Sequence, residues 1–199
     1  MPHIDYYFST ISPNSYLAGL RLEAVAEKHG FSVAYKPLDI MGLFARTGCT
    51  PPKDRHPSRQ AYRLQELRRQ AKKAGLPLHT KPAHWPTNPA PSSYALIAAA
   101  KTGGGEIGAL AHGLSKACWA EQKDISQDDV IRDALTAAGF DPSLADSDLL
   151  GGAEEYAANL EHAIEDNVFG APFYVVDKTE HFWGQDRIED LDLFLSGKL

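Results

Sequence analysis

Phe8-Ser9-Thr10-Ile11-Ser12-Pro13-Asn14-Ser15-Tyr16-Leu17 runs an aromatic strand into the start of a helix, and the rest of the fold is organised around that junction. Upstream, His3 to Ser9 alternates and is rich in aromatics, as a strand should be. Ser12 is placed as N-cap and Pro13 at the first helical position, where its missing N–H is not needed. The free N–H groups of the first turn therefore face the Ser12 hydroxyl. Downstream, Ser15 to His29 carries Leu17, Leu20, Ala24 and Val25 at helical spacing and stops at Gly30. Phe31 to Leu38 reads as a second strand, which makes the opening a strand–helix–strand unit with a right-handed parallel crossover.

Beyond Asp39 the character changes. Met41 to Arg59 is rich in Gly, Pro and charge without steady periodicity, and is expected to be a mobile loop. A long helix is predicted over Ser58 to Ala74, ended by Gly75 and Pro77, and the proline-rich stretch Lys81 to Pro91 cannot be regular. Helices follow at Ser92 to Thr102, Ile107 to Glu121, Ser126 to Ala138 and Gly152 to Asn167. The third has Ser126 as cap, Asp128 and Asp129 in its first turn and Gly139 as stop. Strands return at Phe173 to Val176 and His181 to Trp183, before a last helix from Arg187 or Ile188 to Leu195. The fold class is α/β: residues 1–40 and 166–199 carry the strands, and 41–165 form a large all-helical insertion. The two ends can share a sheet only if the insertion docks on one side as a lid, which leaves a cleft between lid and sheet.

Composition sets limits on function. With 199 residues, 43% hydrophobic and 23% charged, the chain has the makings of an ordinary globular protein. The start, Met1-Pro2-His3-Ile4-Asp5, leads straight into strand-like sequence without a secretory pattern, and no apolar run approaches the roughly 20 residues of a membrane span. A cytoplasmic location without membrane association is expected. Cys49 and Cys118 stand far apart and outside any Cys-x-x-Cys, so neither a disulfide framework nor a zinc site is indicated. The formal charge of −6 argues against nucleic-acid binding. The eight histidines show no ligand spacing, so metal catalysis is not expected. Gly103-Gly104-Gly105 lacks the context of a phosphate loop, and Arg68, Arg69, Lys72 and Lys73 fit one solvated helix side.

Five motifs carry a resemblance: Ser12-Pro13-x-Ser15-Tyr16-Leu17-Ala18, Pro82-Ala83-His84-Trp85-Pro86-x-Asn88, Trp119-Ala120-Glu121-x-Lys123-Asp124-Ile125-Ser126, Val168-Phe169-Gly170-x-Pro172 and Trp183-Gly184-x-Asp186-Arg187. In this order and spacing the chain resembles the 2-hydroxychromene-2-carboxylate isomerases, relatives of the kappa-class glutathione transferases and DsbA-like proteins. The resemblance spans nearly the whole chain and implies a thioredoxin-like fold with a helical insertion. It places Ser12 and Ser15 where redox relatives keep their Cys-x-x-Cys pair, so a disulfide-exchange role is nearly ruled out.

The resemblance implies a glutathione site with Ser12 as the catalytic residue. Physically, a hydroxyl at a helix N-terminus can donate to a thiolate while the dipole lowers the thiol pKa, and serine cannot form a mixed disulfide. Ser15 has the weaker claim. Ala171-Pro172 is expected to be cis, although only about 5–6% of X-Pro bonds are, with the Ala171 N–H and C=O free to pair with the cysteinyl backbone of the ligand. Trp183, Gly184, Gln185 and Asp186 are expected at the γ-glutamyl end. On the lid side His84 and Trp85 are candidates for an aromatic wall and a donor to the substrate carboxylate. The family also holds substrate with a basic residue after the second strand and an Asn near the long helix. Here those places read Leu43 or Phe44, with Arg46 the nearest cation, and Lys53-Asp54-Arg55. Phe44 and Lys53 are therefore substrate-site candidates, with Arg55 as an alternative cation.

The implied activity is glutathione-dependent cis–trans isomerisation of an aromatic 2-oxo acid or its cyclic hemiketal, in aromatic-hydrocarbon catabolism. The implied partners are glutathione and a small aromatic carboxylate, with a homodimer common among relatives. Two other outcomes share the site: a kappa-type transferase that releases a conjugate, and a non-catalytic glutathione binder.

Overall fold

Strand β1 (His3–Phe8) alternates faces, and every other feature of the molecule is arranged about that alternation. In the computed structural model, which describes residues 2–199, β1 pairs in parallel with β2 (Ser32–Pro37) and antiparallel with β3 (Phe173–Val176). Strand β4 (Glu180–Trp183) adds to β3 antiparallel, giving a mixed sheet in the order β2-β1-β3-β4. Tyr6 sits opposite Tyr35 on one side and Tyr174 on the other. The Tyr6, Phe8 and Tyr174 rings stack on one face, with Tyr6 and Phe8 4.7 Å apart.

That face is covered by helix α2 (Arg21–His29), by α9 (Ile188–Leu195) and by helices of the insertion. Leu22, Leu191, Leu96 of α5 (Ala90–Thr102), Leu110 of α6 (Ile107–Trp119) and Ile131 of α7 (Asp128–Ala137) share one core with Ile4, Tyr6 and Phe8. The opposite face presents Tyr7, Phe173 and Val175 to α3 (Ile40–Thr47) and α8 (Leu149–Glu165). A third cluster lies apart from the sheet. It joins Tyr16 and Leu17 of α1 (Pro13–Ala18), Leu67 and Ala71 of α4 (Pro57–Ala74), and Trp119 with Ile125. Leu17, Leu67 and Ile125 would each lose roughly 1.5–3 kcal/mol of burial if exposed, so α1 is clamped between sheet and lid by its own apolar side.

Three local expectations are corrected. The helix expected from Ser15 to His29 is two helices, because Gly19 takes φ 62° and ψ −140° and α2 begins only at Arg21. The carbonyls freed by the break are taken by the Arg21 guanidinium, which donates to Leu17 O and Ala18 O and, across the sheet, to Gln185 O at 2.8 Å. The stretch from Met41 onward is not all loop. Asp39 caps α3 by accepting from the Met41 N–H at 2.9 Å, Ile40 and Leu43 bury one face, and Gly48 ends the helix at φ 76°. Ser126 does not cap α7, which starts at Asp128; Asp124 instead accepts from both the Ser126 N–H and hydroxyl. Among the described residues no helix is long and apolar enough to cross a membrane, and no cluster of His, Cys, Asp and Glu is placed to hold a metal.

Candidate active site

Ser12 is held at the end of the β1 loop from several directions. Its N–H donates to Ser9 O, and Thr10 is fixed by a 3.1 Å hydrogen bond between its hydroxyl and that of Ser92 in α5. The Ser12 hydroxyl accepts from the Ser15 N–H at 3.2 Å and donates to Ala171 O at 3.3 Å. Ser12 is thus both the cap of α1 and the contact between α1 and the strand entry of β3. It is 8% exposed. Pro13 has no N–H, and the Tyr16 N–H goes to Ser12 O. Among the described residues, the first-turn amide left for a ligand is that of Asn14.

The Ala171–Pro172 bond is cis. The Ala171 carbonyl is not wholly free, however: one of its two lone pairs holds the Ser12 hydroxyl, which leaves the other for a ligand. The Pro172 carbonyl accepts from the Gly184 N–H at 3.0 Å, which ties the β3 entry to the end of β4. Gly170 makes room there for the Trp183 indole, since a Cβ at Gly170 would lie 2.4 Å from Trp183 Nε1. Trp183 is half exposed and packs edge-on against Phe169. Gly184 takes φ 114°, and Asp186 pairs with Arg187 at 3.0 Å.

Gly170, Ala171 and the segment from Trp183 to Arg187 line one cleft of about 620 Å³, within the range of small-ligand pockets. Ala171, Trp183, Gly184, Gln185 and Asp186 form one wall. Phe44 and Cys49 form part of the other, with the Cys49 thiol directed to Phe169 O at 3.3 Å. Asn14, Arg55 and Arg59 close the remaining side. The structure therefore brings together Ala171, the Trp183–Asp186 segment and Phe44 in the cleft lining; Ser12 and Pro172 do not line it and are joined to it by the Ser12 hydroxyl on Ala171 O and the Gly184 N–H on Pro172 O.

It does not bring in the other lid candidates. Lys53 is exposed and lines no part of the cleft, where Arg55 stands in its place. Arg46 is engaged by Glu161 of α8, away from the cleft. His84 is exposed at the tip of its loop. The Trp85 indole N–H is directed to Ile11 O at 3.4 Å, and its ring packs on buried Trp119, so it offers a substrate no donor. Trp85 acts as a staple between lid and site loop. Sequence reasoning missed Arg59, Glu66 and Gln70, which line the cleft from α4, and Tyr62 and Arg63, which line the pocket next to it. Their helical spacing puts them on one side of α4 without saying what that side faces.

The fold and site define a DsbA-like thioredoxin protein, and the model of the DSBA-like thioredoxin domain family matches residues 3–196. Relatives narrow the class. A 2-hydroxychromene-2-carboxylate isomerase from Sphingobium xenophagum is 30% identical over 195 residues, 96% of this chain and 97% of that one. Another, from Pseudomonas putida, is 30% identical over 93% of this chain and 90% of its own. A solved 2-hydroxychromene-2-carboxylate isomerase structure superposes with TM-score 0.79 at 26% identity, covering 98% of this chain and 95% of that one. The chain belongs to the 2-hydroxychromene-2-carboxylate isomerase family of DSBA-like proteins.

Proposed function

We propose that this protein is a glutathione-dependent cis–trans isomerase of 2-hydroxychromene-2-carboxylate or a closely related aromatic 2-oxo acid, acting in the breakdown of aromatic hydrocarbons. The observation that carries the reading is the Ser12 hydroxyl, buried at the α1 start and bonded to Ala171 O, in a family whose curated members bear that activity's name. The donor set suits glutathione. Ser12 and Asn14 offer an O–H and an N–H, Ala171 a backbone edge, and Asp186 with Arg187 a pair of opposite charges for a zwitterionic end. Glutathione, when bound, supplies a thiolate whose reversible addition turns a conjugated double bond into a rotatable single one and which is returned unchanged.

The chain's own residues prepare that chemistry. Ser12 moves its proton from Ala171 O to the sulfur position, stabilising negative charge there. Ala171 O, which has two lone pairs, accepts a backbone N–H from the ligand. Because α1 has only six residues, most of the stabilisation comes from the hydroxyl and the adjacent amide rather than from a long dipole. Trp183 and Phe44 exclude water from the two walls.

The test follows 2-hydroxychromene-2-carboxylate spectrally with glutathione at a small fraction of the substrate concentration, together with mass analysis. Isomerisation through many turnovers without a thioether supports the isomerase. Conversion that stops at one equivalent with a conjugate would mark a transferase, and binding without conversion would mark a carrier.

A further inference from the structure

The cleft continues past Asn14 along the inner side of α4 into a second basin of about 440 Å³. Asn14, Arg55, Arg59, Glu66 and Gln70 line both basins, so the two form one groove with Asn14, two residues after Ser12, at the junction. The second basin has an unusual charge balance for a chain of net charge −6. Arg55, Arg59 and Arg63 all line it. Arg59 and Arg63 are one helical turn apart and project to the same side, while Arg55 enters from the segment before α4, its Nε–H donating to Thr50 O at 2.9 Å.

These cations have no counter-charge. Among the described residues none of the three takes part in an ion pair. The one carboxylate in the basin, Glu66, is already held by Arg69 at 3.2 Å and Gln70 at 2.7 Å. Arg63 is half-buried over the Trp85 ring, 5.9 Å from its centroid. Burial, and then the like charge of Arg55, hold its guanidinium below its ordinary pKa. Keeping a cation partly desolvated beside another cation is unfavourable unless an anion completes the site. The same basin has apolar surface from Leu67 and the Tyr62 ring.

We propose that this α4 end of the groove is the carboxylate subsite for the substrate: Arg59 and Arg63 take the carboxylate of an aryl 2-oxo acid, and Tyr62 and Leu67 flank its apolar part. The assignment rests on the isomerase reading for the identity of the ligand. It also accounts for the absence of a cation at Leu43 and Phe44, because the charge is supplied from the helix instead. A guanidinium presents a planar fork that matches a carboxylate in two parallel hydrogen bonds, which also fixes the direction of the acid. An acid so held reaches toward the junction at Asn14.

The experiment measures binding without turnover, by calorimetry and by intrinsic tryptophan emission, using phenylpyruvate, its methyl ester and S-methylglutathione. The unmodified protein is expected to bind the acid about tenfold or more tighter than the ester. In the Arg59→Gln/Arg63→Gln double variant that ratio should fall to about one, while S-methylglutathione affinity changes by less than about twofold. Arg68→Gln, on the solvated side of the same helix, should behave as the parent. Equal binding of acid and ester by the unmodified protein, which requires no variant to fold, would overturn the proposal. So would an unchanged ratio in the double variant. A loss confined to S-methylglutathione would overturn it too, by giving the arginines to a carboxylate of glutathione. Selective, arginine-dependent acid binding without isomerisation would sink the isomerase reading and leave the subsite standing.

Discussion

Replacing Ser12 by alanine removes one oxygen that makes two contacts: acceptance from the Ser15 N–H at 3.2 Å and donation to Ala171 O at 3.3 Å. The first loss is a helix cap, which costs about 1 kcal/mol of stability and leaves the fold intact. The second removes the donor assigned to the bound thiolate. A hydrogen bond to a charged group contributes roughly 1.5–3 kcal/mol, and one pKa unit is about 1.4 kcal/mol. Glutathione bound to the parent should therefore ionise about one to two units below its free value, and Ser12→Ala should return at least about one unit of that shift. The remainder belongs to the short α1 and the Asn14 amide. The assay is an ultraviolet thiolate titration of the bound tripeptide, with urea unfolding to show that the variant stays folded. Ser15→Ala is the control, because the Ser15 hydroxyl lies in a small internal pocket with Tyr6, Glu23 and His112 rather than in the cleft. Coincident titrations of parent and Ser12→Ala, or a shift reproduced by Ser15→Ala, would refute the assignment.

Two further outcomes follow from the same geometry. Cys49 lines the cleft, whereas Cys118 is 1% exposed with its thiol pushed up to about 12 by burial and the charge of Asp124; a disulfide reagent should modify one thiol in the native protein, more slowly with S-methylglutathione present, and Cys118 only after denaturation, and peptide mapping that finds equal labelling or no protection would contradict this. Glu23 is largely buried and leaves its second oxygen unpartnered, and this burial raises its carboxyl above the ordinary 4.5 against the lowering effect of the Tyr35 hydroxyl it accepts from at 2.6 Å. The folded state holds that proton more tightly than the unfolded chain, so its stabilising effect is complete below the ordinary value and is lost as pH rises through the raised one. Glu23→Gln should flatten this fall and be at least as stable as the parent at neutral pH; parallel stability–pH curves from urea unfolding would rule it out.

The elements that sequence reading located are those with strong local punctuation. Gly30 and Gly75 end helices in the left-handed conformation, and β3 is a four-residue apolar run with both faces buried. The misread stretches had punctuation of the same kind that admits two meanings. Gly19 inside a helical period can be tolerated or can break the helix, and the decision lay with Arg21, whose guanidinium satisfies the carbonyls that the break exposes. Asp39 and Gly48 bracket α3 as cap and stop, but between them the helix is short and is stabilised chiefly by Leu43 in the core formed with α8. A helix of that length owes its existence to packing more than to propensity.

For the site, the sequence was enough to place the local geometry of the Ser12 turn. Ser12 before Pro13 announces a cap whose hydroxyl faces the first turn, and it accepts from the Ser15 N–H. Those are properties of neighbours along the chain, set by backbone geometry over a few residues. Which distant groups meet that hydroxyl was settled by packing. Ser12 and Ala171 are 159 positions apart. Trp85 spends its indole N–H on Ile11 rather than on a ligand, and Arg59, though exposed, and half-buried Arg63 line a groove. Helical spacing places such residues on a common side of α4 but contains nothing that says what lies opposite; the burial of Leu67 and Ala71 against α1 and α6 turns the helix, and with it the arginines, toward the cleft.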